Sequence, residues 1–342
     1  VDTRPQHRRD PDVGVEEDRT PSASPRTSLT LRPVRAGRAD SPREREEARS
    51  AMIPGQFDYV RPANLDDTLA ILRDREGEAK LLSGGYSLIP LIKLRLGQPG
   101  LLVDMRDLAG LDGIVETDDE LRIGARATHR QIHEHPIIVA RYPMMREVAG
   151  GIGDPQVRNW GTIGGSVAHA DPASDWPAVL LARHAHITCR NADRERSIRA
   201  RDFFIDTFQT AIEPTEVLTE IRMSSRTKGG GGAYKKLERR VGDFATVGVA
   251  VAVELDVAGR IDNVGIGVTG VSPSPYAAID AEDILEGQVP ADDLFRRAGE
   301  AAAAQAQPAS DVRGPVEYKR AMVAEMTVRA LRTAVERAMA QT

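Results

Sequence analysis

The sequence predicts an α+β protein, with a two-lobed N-terminal domain over residues 53–226 and a smaller α+β domain over residues 229–338. Three observations predict it. Ala79-Lys80-Leu81-Leu82 reads as a short strand that runs into Ser83-Gly84-Gly85-Tyr86-Ser87, then a helix, then the strand Leu101–Met105. A second glycine-rich stretch, residues 159–166, leads through Asp171-Pro172-Ala173-Ser174-Asp175 into an apolar helix. Gly229 to Gly232 then marks a boundary or mobile hinge, beyond which two long β patterns precede helices.

Residues 1 to about 52 are rich in Arg, Pro, Asp and Ser, and contain no aromatic residue. Such a segment buries too little apolar surface to offset chain entropy, so disorder is expected. Met52 is an alternative natural start, with the upstream stretch as an extension. The first lobe, about 53–106, opens with the extended run Phe57–Val60, which Pro62 breaks. Asn64 is placed to cap the helix LDDTLAILRD, whose Leu65, Leu69 and Leu72 share a face.

The second lobe, about 107–226, carries strands near Gly113–Glu116 and Glu120–Ala125 and helices near His129–Glu134 and Ile137–Val148. Strands near His186–Arg190 and Glu216–Met223 close it. In the last domain, Thr246–Leu255 and Ile261–Gly270 are the long β patterns. The final helix, Glu317–Ala340, sets Tyr318, Met322, Met326, Leu331 and Val335 among charges, as an amphipathic packing helix does. No internal repeat is present.

Composition excludes several function classes. A net charge of -5 and 4% aromatic content argue against a nucleic-acid partner. The single cysteine, Cys189, can form neither an internal disulfide nor an iron–sulfur or zinc cluster within the chain, and it suits a reducing cytoplasm. No apolar run approaches the roughly 20 residues that span a bilayer, and the N-terminus lacks the apolar core of a signal peptide.

Glycines after a strand let the backbone turn sharply and bring successive N–H groups to an anion. Gly84, Gly85 and the Ser87 hydroxyl suit that role, and Gly161, Thr162, Gly164 and Gly165 form a second candidate nest. Two such loops beside apolar strands point to a diphosphate held from both sides. His129, His133 and His135 lack the carboxylates or cysteines that would complete a metal site, so no metal is expected. Gly265-Ile266-Gly267-Val268-Thr269-Gly270 satisfies the dinucleotide pattern, yet Val271-Ser272-Pro273-Ser274-Pro275 follows where a helix must open. It reads as a glycine-rich strand, and a Rossmann fold is rejected.

At these residues the chain resembles the FAD-binding flavoprotein (medium) subunit of the molybdenum hydroxylases, the aerobic carbon monoxide dehydrogenase and xanthine dehydrogenase type. KLLSGGYSLIPLIKLRL is similar to that family's first segment, A-G-G-x-S-L, with Ser83 in place of alanine. Thr162-Ile163-Gly164-Gly165-Ser166 and Ala168 through Ala178 are similar to its T-I-G-G-N and A-x-x-x-D-P-A-x-D-x-P-A. Ser166 replaces the usual asparagine, and Trp176 a common leucine; both changes bear on contacts to the cofactor or a neighbouring chain. Ala233 through Ala245 resembles the start of the family's C-terminal domain, so the likeness covers roughly Ile53 to Leu331.

The resemblance implies a two-lobed FAD domain of the vanillyl-alcohol-oxidase-like (PCMH) type. It also implies non-covalent FAD, with the diphosphate clasped by Gly84, Gly85, Tyr86, Ser87 and Leu88 and by Thr162, Gly164 and Gly165. Lys80 is placed toward the adenine side. Asp175 matches an aspartate that accepts from cofactor hydroxyls; Asp171 matches its pair, or else caps a helix with Pro172 at the first position. Leu218 resembles a residue packed on the flavin ring, and Tyr234 and Lys235 residues near it. A cation there tunes the flavin potential. Tyr234 also reads as a surface aromatic.

No catalytic acid or base is required. The implied work is electron transfer from [2Fe–2S] clusters on a small subunit, through FAD, to an external acceptor. A molybdenum-binding large subunit carries the molybdenum cofactor and the substrate chemistry, in a dimer of heterotrimers. Two rivals stand beside this reading. One is a stand-alone FAD-dependent oxidase or reductase, in whose covalent relatives a histidine would occupy the place of Tyr86. The other is a flavin-free scaffold subunit.

Overall fold

The computed structural model describes residues 53–225 and 229–341, so the expectations for residues 1–52 lie outside the described residues. Three short strands, β1 (Asp58–Val60), β2 (Ala79–Leu82) and β3 (Leu101–Asp104), make a parallel sheet in the order β1-β3-β2. Parallel neighbours need crossovers. Helix α1 (Leu65–Asp74) follows β1, and α2 (Leu88–Lys93) joins β2 to β3. Asn64 caps α1 as its sequence position predicts, its side-chain oxygen accepting from Asp67 N at 2.8 Å. Leu69 and Leu72 of α1 pack with Met105, Leu108 and Leu111 in a small core.

A five-stranded antiparallel sheet follows, in the order β4-β5-β10-β6-β7. Its strands are β4 (Ile114–Glu116), β5 (Glu120–Gly124), β6 (His186–Arg190), β7 (Glu195–Arg199) and β10 (Val217–Ser224). Between β5 and β6 run α3 (His129–Glu134), α4 (Pro136–Arg141), α5 (Pro143–Gly151), α6 (Pro155–Trp160), α7 (Ile163–His169) and α8 (Asp175–Ala182). The single helix expected over Ile137–Val148 is two, because Pro143 has no N–H to continue α4 and instead starts α5 at its first turn. Helix α9 (Ala200–Phe203) leads to a hairpin of β8 (Phe204–Asp206) and β9 (Gln209–Thr210).

The last sheet is antiparallel, β11 (Gly230–Leu237), β12 (Val247–Leu255), β13 (Ile261–Thr269) and β14 (Tyr276–Ala277), in that order. Helices α10 (Ile279–Leu285), α11 (Asp292–Gln305) and α12 (Val316–Met339) cover one face. Gly230 to Gly232 open strand β11 at the start of the last sheet, as a boundary would, and are strand residues rather than a mobile hinge. A Cβ on Gly231 would lie 1.9 Å from Ala334 O, so the glycines let α12 lie directly on β11.

Gly265 and Gly267 of the rejected dinucleotide pattern do the same on the other face of the sheet. Cβ atoms there would meet Ala182 O at 2.1 Å and Ala178 O at 1.9 Å. Helix α8, buried at every one of its positions, therefore lies in direct contact with β13. A helix apolar all round has to be enclosed on all sides. This contact joins the second lobe to the C-terminal sheet. Among the described residues no helix is long and apolar enough to cross a membrane.

Candidate functional site

Strand β2 delivers the chain into its first glycine loop. Gly85 takes φ of +81°, a left-handed turn open to glycine, and α2 begins three residues later. The backbone N–H groups of residues 84–88 donate to no other described residue. Ser87, the residue before α2, makes no side-chain cap bond, and its hydroxyl bonds to no described residue. A run of unpaired N–H groups on a left-handed turn is an anion-binding concavity.

The second stretch is built differently. Thr162 caps α7, its hydroxyl accepting from Gly165 N at 3.1 Å, and the glycines lie in the helix rather than in a loop. The neighbouring amides are engaged too: Ile163 N with Ala127 O at 3.0 Å and Gly164 N with Ala125 O at 2.9 Å. A Cβ at Gly164 would lie 2.5 Å from that of Ala125. These glycines serve close packing, and their N–H groups are not a second open nest.

The two stretches nevertheless meet. A Cβ on Gly84 would stand 2.3 Å from Trp160 O and 2.7 Å from Gly161 Cα. The Ser83 and Thr162 hydroxyls hydrogen-bond at 2.9 Å. Lys80 is exposed on β2. Burial holds the His169 imidazole below its usual range; Asp171 pulls it up and Lys80 pushes it down, so the three share one electrostatic neighbourhood. Asp171 does not cap α8. Its carboxylate accepts from Ala173 N at 2.8 Å in a turn, and Ser174 is the cap residue.

Asp175, Tyr234 and Leu218 lie deeper. The Tyr234 hydroxyl donates to one Asp175 oxygen, and Lys236 Nζ donates to the other at 3.1 Å. Lys236 also pairs with Glu238 at 3.1 Å. Burial pushes the Asp175 carboxyl up against the pull of Lys236. Burial and Asp175 together push the Tyr234 phenol well up, which keeps it a donor.

Both Asp175 oxygens are thus taken by protein groups, in a position only 7% exposed. Tyr234 is core rather than surface, and Leu218 packs in the same cluster. Strand alternation sets Lys235 on the face opposite Tyr234 and Lys236. The cation that meets Asp175 is Lys236, one residue from the expected lysine, and only the strand pairing of β11 reveals it.

The flagged departures have local partners. Ser166 and Ser174 hydroxyls bond at 2.8 Å. Trp176 is fully buried, away from any surface, and its Nε1 donates to His129 Nδ1 at 3.1 Å. Burial, then Arg158, pushes His129 down to about 4, so it is the neutral acceptor that the indole requires. Among the described residues no three His, Cys, Asp or Glu side chains gather as a metal site.

Comparison with known proteins matches residues 55–223 to the FAD binding domain in molybdopterin dehydrogenase and residues 232–334 to the CO dehydrogenase flavoprotein C-terminal domain. The chain is 40% identical over 290 residues to the carbon monoxide dehydrogenase medium chain of Afipia carboxidovorans, covering 85% of this chain and 99% of that one. It is 38% identical over 283 residues to that of Hydrogenophaga pseudoflava, covering 83% and 98%. A solved structure of carbon monoxide dehydrogenase from Hydrogenophaga pseudoflava, lacking the Mo-pyranopterin moiety, superposes with a TM-score of 0.81 at 40% identity, over 84% of this chain and 99% of that one.

Proposed function

The chain belongs to the family of FAD-binding medium subunits of molybdenum hydroxylases and is an electron-transferring oxidoreductase subunit. From that premise we propose that it holds FAD non-covalently where the Ser83–Leu88 loop meets Thr162. Electrons arrive from [2Fe–2S] clusters on a small partner subunit and leave to an external acceptor. A molybdenum-binding large subunit performs the substrate chemistry, in a cytoplasmic dimer of heterotrimers.

The observation that carries this reading is the set of N–H groups at residues 84–88 that are unpaired among the described residues, backed by the junction at Gly84. The residues present suit a dinucleotide. The amides of Gly84, Gly85, Tyr86, Ser87 and Leu88 and the Ser87 hydroxyl hold the diphosphate. Lys80 adds positive charge beside it, and the free Asp171 oxygen accepts from a sugar hydroxyl. Thr162, Gly164 and Gly165 support that loop from behind by packing rather than through open amides.

Bound FAD supplies the reversible uptake and release of electrons. This chain supplies position and field. Asp175, Tyr234 and Lys236 fix α8 against β11, and so set the second lobe against the C-terminal sheet. Leu218, on the Tyr234 side of β11, belongs to the proposed surroundings of the flavin ring, and Lys235 lies on the other face of that strand. Neither glycine stretch contains a histidine to tether the flavin, which favours non-covalent binding over the covalent oxidase reading.

Titration of the deflavinated full chain with FAD, followed by quenching of flavin fluorescence, tests the proposal. Saturable one-to-one uptake is expected, lost on Gly85→Ala because alanine is strained at that φ. Absence of uptake by the unaltered chain would contradict it.

A further inference from the structure

The β8–β9 hairpin sets one residue in a costly backbone state beside His169. Phe208, in the turn, has φ of +56°. A left-handed conformation is disfavoured for a bulky side chain. The Phe208 N–H donates to Ala170 O at 3.2 Å, and Ala170 is itself left-handed, at φ of +50°, where α7 ends.

These two residues turn the phenyl ring outward. It is 53% exposed and leans on the His169 imidazole, with ring centroids 5.0 Å apart and planes at 41°. Burying such a ring would stabilise the fold, and here half of it stays in water against a neighbouring imidazole. The imidazole it leans on bonds to no described residue through its nitrogens and feels two charges, the exposed Lys80 ammonium and the Asp171 carboxylate, one of whose oxygens accepts from Ala173 N. An aromatic face, a cation and a carboxylate are what a base, a phosphate and a ribose respectively require.

We propose that Phe208, backed by His169, is the stacking face for the adenine ring of FAD, with Lys80 and Asp171 flanking the adenosine half. This rests on the FAD reading above and adds a hairpin to the cofactor site that neither glycine stretch reaches. Phe208 thereby binds the half of the cofactor that does no redox chemistry, and sets affinity rather than potential.

The test uses the deflavinated full chain, with FAD binding read by flavin fluorescence and ADP binding read by calorimetry. Asparagine tolerates a left-handed φ, so Phe208→Asn removes the ring without adding strain. The expected result is a loss of about tenfold in affinity for both FAD and ADP. The melting temperature of the cofactor-free chain should be unchanged or higher, and Phe208→Trp should bind both ligands more tightly than the unaltered chain. Unchanged affinities in Phe208→Asn overturn the proposal. So does weakened FAD binding with ADP unaffected, or a variant that binds both normally and loses only its partner subunits. Should Phe208→Asn fail to fold, Phe208→Trp decides: tighter ADP binding supports the stacking face, and unchanged ADP binding overturns it. An unaltered chain that takes up neither ligand sinks the FAD reading as well. One that takes up FAD, with the variant unchanged, sinks only this inference.

Discussion

Ser83 and Thr162 stand 79 residues apart in the chain, and their hydroxyls hydrogen-bond at 2.9 Å. That bond ties the open glycine loop to the cap of the helix behind it. Thr162→Val removes the acceptor for Gly165 N–H and the partner of Ser83 together, leaving part-buried groups unsatisfied. The expected loss is about 1–3 kcal/mol in urea unfolding, with weaker FAD retention. Ser83→Ala should cost less, because the Thr162 hydroxyl keeps its bond to Gly165 N.

Gly84→Ala tests the close approach of the two stretches. The added Cβ meets backbone atoms at 2.3 and 2.7 Å, which cannot rotate away. The loops must part, at a cost of about 1–3 kcal/mol. Both a lower melting temperature and loss of bound flavin are expected, measured by thermal unfolding and by flavin content per chain.

Lys236→Met leaves the Asp175 carboxylate buried with only the Tyr234 hydroxyl. Breaking a buried pair in this way should cost about 3–5 kcal/mol. The double variant with Asp175→Asn should recover part of that, and a double-mutant cycle in urea measures the coupling. The pH dependence has a definite sign. Burial already raises the Asp175 carboxyl, and losing Lys236 removes its main opposing influence. The folded variant then takes up a proton more readily than the unfolded chain, so its deficit should shrink as pH falls from 7.5 to 5.

His129 gives the opposite sign. Its folded pKa is about 4, against 6.5 unfolded, so only the unfolded chain is protonated between those values. Its contribution is complete above about pH 6.5 and is lost as pH falls toward 4, by about 3 kcal/mol for a shift of this size. His129→Gln keeps an acceptor for Trp176 Nε1 but cannot protonate. Melting temperatures between pH 7.5 and 4.5 should fall less steeply in the variant than in the unaltered chain.

Much of the fold was legible in the sequence, because its signals are local. Asn64 before an apolar-periodic run, and Ala79–Leu82 before paired glycines, define their elements without help from the rest of the chain. The helix at Ile163–His169 was not legible: glycine is a poor helix former, and only the Thr162 cap and the backbone of Ala125 against Gly164 make the helix form. Gly230 to Gly232 read as a hinge because nothing in their own sequence shows α12 lying on them. Asp175 could be singled out, but its partners Tyr234 and Lys236 lie 59 and 61 residues away, and only the tertiary fold brings them to it. Phe208 carried no signal at all, since its exposure depends on a backbone angle.

The most direct test is a visible absorption spectrum of the chain purified with its accompanying subunits, taken before and after acid precipitation. Flavin bands that pass into the supernatant, with FAD rather than FMN identified there, are the predicted result. A colourless preparation that also takes up no added FAD, or flavin that stays with the precipitated protein, would contradict non-covalent FAD binding by this chain.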